Sequence, residues 1–201
     1  MVAGLIAELR EREWTAIKIT QFGHGVCSAN GEPCDCETAD HTMAISEERG
    51  ESGTDSGRYL SAGAKRALWV RTRQGQLIEA MPRIRKELAL AQNTLIESNS
   101  ILRFLRPDIY LSVLDPAVKD FKDSARRYLD RADAILVPEG ADLRTEGWTS
   151  VSGSLYRKTP VITMHPPSYT SRELIEFVGG RLGDASMSAE RPMGQNERVC
   201  L

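Results

Sequence analysis

Nothing in this chain is long and apolar enough to enter a bilayer. No apolar run approaches the roughly 20 residues of a membrane span. Charge of one sign is also lacking: 26 basic residues against 28 acidic ones leave a net charge of −2. That balance gives no global attraction to nucleic acid or to a lipid surface. Aromatic residues make up only 6% of the chain. The one local basic run (Arg71, Arg73, Arg83, Arg85, Lys86) has no interleaved rings and reads as a solvated face. The N-terminus, MVAGLIAELRERE, has neither a basic leader nor a cleavage site, so it is not a secretory signal. No Gly-x-x-x-x-Gly-Lys-Ser/Thr phosphate loop occurs in the 201 residues.

What remains is the composition of a soluble globular domain, 41% hydrophobic and 27% charged. Cysteine and histidine are scarce but gathered. Three of the four cysteines and two of the three histidines fall between His24 and His41. The pattern is His24-x2-Cys27-x6-Cys34-x-Cys36-x4-His41, which is no standard zinc-ribbon or finger spacing. Four of these five side chains suffice for a tetrahedral site, and thiolate with imidazole suits zinc or an iron–sulfur cluster. The plainer alternatives are redox-active thiols or simple loop residues. Clustered cysteines point to a reducing cytoplasm rather than to a disulfide framework.

Short apolar segments alternate with helical ones. Helices are expected at 2–12, 54–64, 76–91, 119–131 and 171–178. Strands are expected at 14–20, 67–71, 94–97, 108–114, 134–137 and 159–164, with a short strand or turn at 41–46. In the helix at 76–91, Leu77, Ile78, Met81, Ile84 and Leu88 recur at helical spacing, with Pro82 inside it. Such alternation predicts an α/β fold, a mostly parallel sheet with helices on both faces. The domain is expected over 1–182, with a polar, disordered tail over 183–201. Sheets of this class bind ligands at the carboxyl ends of their strands. The polar residues there are Lys18 with Thr20, Glu97 with Ser98 and Asn99, and Asp115.

The order of these segments resembles the P-loop protein family of molybdopterin-guanine dinucleotide biosynthesis protein B. The resemblance runs from about Val2 to Val137. It rests on the lysine-bearing strand IKIT, a glycine- and histidine-containing loop, Gly-Thr-Asp-Ser-x-Arg-x-x-x-Ala-Gly-Ala over Gly53–Ala64, the strand ALWVRT, and a strand ending in an acidic residue, LIES. It implies a P-loop NTPase-like fold that binds GTP with Mg2+ beside a partner nucleotidyltransferase of molybdenum-cofactor biosynthesis. Lys18, Ser56, Arg58 and Ser98 would then contact nucleotide. Asp55 and Glu97 would be the catalytic carboxylates, Glu97 standing where a metal-holding acidic residue ends its strand. The plainer readings are a snorkelling lysine, an N-capped helix at Asp55 and Ser56, and a strand-end carboxylate.

Two parts of the family pattern are missing. The first strand and the phosphate loop are absent, and Val2–Arg12 looks like the helix that would follow them. Either the chain is truncated or the loop has been lost. Both cases predict weak phosphate binding, and NTPase activity only if a phosphate loop is supplied. They also predict an apolar sheet edge that invites pairing with another chain, including a second copy. The Asn-Lys-x-Asp guanine signature is absent as well, near Asp115, Lys119, Asp120 and Lys122. The alternative function is a metal-binding regulatory or metal-handling protein that uses the same sheet as a scaffold.

Overall fold

Alternation of side chains along short β-branched segments explains the core. In the strand β1 (Trp14–Phe22), Ile17 and Ile19 enter one apolar cluster, while Trp14 and Ala16 enter another. The strands β3 (Arg66–Arg73) and β4 (Asn93–Glu97) divide in the same way, Leu68, Val70 and Ile96 against Ala67 and Leu95. Strand side chains alternate between the faces of a sheet, so each cluster is one face. The computed structural model describes residues 1–22, 43–50, 53–117, 123–141, 151–155, 157–187 and 199–200.

Two sheets carry the fold. The first adds the strands β2 (Met43–Glu47) and β8 (Val199–Cys200), in the order β2-β3-β1-β4-β8. Its pairs are parallel except β2 with β3, so this sheet is mixed. The second sheet is wholly parallel, β5 (Leu111–Val113), β6 (Ala134–Pro138) and β7 (Val161–Met164) in that order. Both clusters draw residues from both sheets: Ile96 packs with Ile135 on one face, Leu95 with Leu111 and Leu136 on the other. The single mostly parallel sheet expected from sequence is therefore corrected to a mixed sheet and a parallel one sharing two core layers. The α/β class stands.

Helices cover both faces. One face holds α1 (Val2–Glu8), α2 (Asp55–Ser61) and α5 (Arg172–Met187), through Leu5, Ile6, Tyr59, Leu174 and Val178. The other holds α3 (Leu77–Leu90), through Leu77, Ala80, Met81, Ile84 and Leu88. Pro82 sits on the exposed side of α3, where its ring meets solvent rather than the core. Residues Asp123–Tyr128 form the short helix α4. No helix among the described residues is long and apolar enough to cross a membrane.

Helix boundaries moved near both ends of the chain for physical reasons. The first helix stops at Glu8 instead of Arg12, because Arg10–Arg12 tighten into a 3-10 turn. In that turn the Leu9 carbonyl accepts both the Arg12 amide N–H at 3.1 Å and the Trp14 indole N–H at 2.8 Å. The last helix runs to Met187, beyond the expected 178 and into the segment expected to be a disordered tail. Its apolar residues Leu174, Val178 and Leu182 recur every four residues and are all buried.

Candidate functional site

Lys18 lies inside β1, not at its end. It stands in register with Glu97 at the carboxyl end of β4 and with Trp69 of β3. It shares a sheet face with Ala16, the face on which α2 packs. The helix begins at Thr54, whose hydroxyl accepts the Gly57 amide N–H at 3.1 Å, the usual work of an N-cap threonine. That start puts Asp55 and Tyr59, four residues apart, on one side of the helix and over the strands.

The result is a connected polar cluster. The Lys18 ammonium donates to Asp55 Oδ2, and its Nζ lies 3.8 Å from Glu97 Oε2. The Tyr59 hydroxyl donates to the same Glu97 oxygen. Arg58 Nη1 approaches Asp55 Oδ1 at 3.3 Å from the solvent side. Two cations thus face two carboxylates. The Lys18 side chain is 22% exposed, while Asp55 and Glu97 are 41% and 46% exposed. A solute can reach the carboxylates, whereas the lysine stem is sheltered. Such part-exposed pairs contribute little stability, about 0–1 kcal/mol each.

Not every expected residue joins this cluster. Ser56 is only 2% exposed, and its hydroxyl donates to Glu48 Oε2 at 3.0 Å, away from Lys18. Thr54 also donates to that Glu48 oxygen, at 3.1 Å. Ser98 turns toward Ser100, with the two hydroxyls 3.0 Å apart. Thr20 accepts the Trp69 indole N–H at 3.0 Å and serves the sheet. His24, Cys27, Cys34, Cys36 and His41 all lie outside the described residues. Among the described residues no three His, Cys, Asp or Glu side chains gather closely enough to hold a metal ion.

Tyr59 and Glu48 escaped the sequence reading. Tyr59 had a signal, its spacing of four from Asp55, which fixes a shared helix face. Glu48 had none, since only tertiary packing brings it to Ser56. Burial, reinforced by the charge and hydrogen bond of Glu97, raises the Tyr59 phenol far above its ordinary value. Tyr59 is therefore a hydrogen-bond donor at neutral pH, not a base. Burial raises the Tyr110 phenol too. Neutral forms favoured by the fold contribute stability that is complete below about pH 10 and is lost as pH rises through the raised values. In an alkaline titration, Tyr59 and Tyr110 should ionise only as the far-ultraviolet ellipticity collapses. Formation of all five tyrosinates with ellipticity intact would contradict this.

Chemically, the cluster offers hard carboxylate oxygens, suited to Mg2+, beside an ammonium suited to phosphate. Against known proteins, the chain matches no protein-family model, no curated protein and no solved structure.

Proposed function

We propose that the chain is a nucleotide-binding accessory protein of the kind represented by the molybdopterin-guanine dinucleotide biosynthesis family. Its scaffold is then P-loop NTPase-like, and the cluster around Lys18 receives Mg2+-bound GTP. The observation that carries this reading is the Lys18 ammonium shared by Asp55 and Glu97, with Tyr59 fixing Glu97. The lysine in β1 is shared between two half-exposed carboxylates, and one of them, Glu97, stands at the carboxyl end of β4, where α/β sheets bind ligands.

Asp55 and Glu97 would hold Mg2+, which neutralises phosphate charge when bound. Lys18, released from its carboxylates, pairs with a phosphate oxygen. Arg58 screens the outer side, and Tyr59 orients Glu97. The 201 residues contain no glycine-rich phosphate loop, and backbone N–H groups of such a loop supply most phosphate affinity. The expected Kd is therefore weak, on the order of 0.1–1 mM. The role is binding and presentation to a partner nucleotidyltransferase.

Calorimetric titration with Mg·GTP tests this. Lys18→Met and Glu97→Gln should each weaken binding about tenfold or more, the value of one charge-assisted contact. Their unfolding free energies should stay within about 1 kcal/mol of the parent, because the pairs are half-exposed. Equal affinity in Lys18→Met and parent, or no saturation up to about 10 mM nucleotide, would overturn the reading.

A further inference from the structure

On the opposite side of the sheet, the side that carries α3, lies a second polar feature. A cleft of about 190 Å3 opens between the end of β1, the start of α3, the turn after β4, and α4. Gln21 and Ser100 stand on one wall, with the carboxamide nitrogen 3.5 Å from the hydroxyl. Arg103 and Arg127 reach the cleft from two different elements. Leu77, Phe104 and Tyr128 line it as well, and all three pack in or against the apolar cluster beneath.

The two arginines differ from the guanidinium groups of this chain that are tied to acids. Arg58, Arg66, Arg172 and Arg181 each pair with a carboxylate. Among the described residues, Arg103 and Arg127 have no carboxylate within ion-pair distance. Arg103 instead lies 5.7 Å from the Phe104 ring centroid, which holds the guanidinium as a plane beside an aromatic face. Two uncompensated guanidinium groups at one cleft favour an anion, and fork-shaped donors on separate elements match a doubly charged phosphate better than a single carboxylate.

We propose that this cleft binds a phosphate monoester carrying one small planar ring. The arginines, with Gln21 and Ser100 as neutral donors, take the phosphate. Leu77, Phe104 and Tyr128 take the ring, since aromatic and aliphatic walls with a few convergent polar groups are the usual makeup of a ligand site. The volume lies below the roughly 300–1,000 Å3 of drug-sized ligand pockets, which limits the ligand to a single ring. The site is independent of the Lys18 cluster, which lies on the other face and whose failure to bind Mg·GTP would leave this cleft unaffected.

Phenyl phosphate, inorganic phosphate and benzoate, titrated into the whole chain without Mg2+, are the probes. Phenyl phosphate should saturate and bind about tenfold more tightly than either fragment, because only it uses both halves of the cleft. Arg103→Ala and Arg127→Ala should each weaken it about tenfold or more. Arg83→Ala, on the exposed side of α3, should leave it unchanged, and thermal melts establish that each variant is folded. Equal binding of the three probes, or an equal loss in Arg83→Ala, would reduce the cleft to diffuse positive charge and overturn the proposal. Absence of saturation below about 10 mM phenyl phosphate would overturn it too.

Discussion

Trp14→Ala is expected to be among the most damaging single substitutions in this chain, lowering unfolding free energy by about 3–5 kcal/mol. The indole is 1% exposed and packs with Leu5, Ile6 and Ala16 beneath α1. Truncation removes that burial and leaves a cavity too enclosed to collapse. It also removes the donor to the Leu9 carbonyl at 2.8 Å. A domain of ordinary stability has about 5–15 kcal/mol in all, so about a fifth or more is lost. For a chain of this size that is a fall in Tm of about 6–20 °C. Trp14→Phe separates the two contributions. It keeps most of the ring and removes only the indole donor, and because the Leu9 carbonyl still accepts the Arg12 amide N–H at 3.1 Å the cost of that bond is about 0.5–1.5 kcal/mol. Urea unfolding followed by circular dichroism measures both. A loss below about 1 kcal/mol in Trp14→Ala would mean that the indole is not in the packed core.

Gly4→Ala tests α1 from the other side, and its expected sign is opposite to helix propensity. In an isolated helix the change stabilises by about 1 kcal/mol. Here a Cβ would stand 2.6 Å from the Ser168 carbonyl oxygen and 2.6 Å from Thr170 Cγ2. The oxygen belongs to the backbone and cannot swing away, so α1 must shift off the segment before α5. Overpacking of this kind costs about 1–3 kcal/mol, which exceeds the propensity gain. Thr170→Ser in the same chain removes one of the two obstructing atoms but not the carbonyl. Stability should therefore recover only in part. Full recovery, or a stabilised Gly4→Ala single variant, would show that α1 does not pack against this segment as closely as described.

These predictions depend on contacts that the sequence could not supply, although much else was legible. The helical repeat of α3 was readable because Leu77, Met81, Ile84 and Leu88 follow one stripe. Ile78 is expected in that stripe but is 62% exposed, since an adjacent residue lies about 100° away around the helix. The seven-residue strand expected at 108–114 narrows to a regular strand over Leu111–Val113. Tyr110 spends its amide on the Asp133 carboxylate instead, at 2.8 Å. In the site, Lys18, Asp55, Glu97 and Arg58 are expected from sequence and do come together. Ser56 and Ser98 are expected beside them and face other partners. A hydroxyl satisfies its hydrogen bond with whatever lies closest, and sequence does not say what that is.

By itself, the sequence determined the alternation of short apolar strands with amphipathic helices, and hence an α/β class with two covered faces. Period and composition are local properties, written in the order of residues. Strand order was decided only in three dimensions. The tertiary structure set β1 between β3 and β4, turned β2 antiparallel, and gave β5, β6 and β7 a sheet of their own. It also decided that Tyr59 completes the Lys18 cluster and that Arg103 and Arg127 meet at one cleft. Contacts between residues tens of positions apart depend on how whole faces pack, a choice no single segment makes.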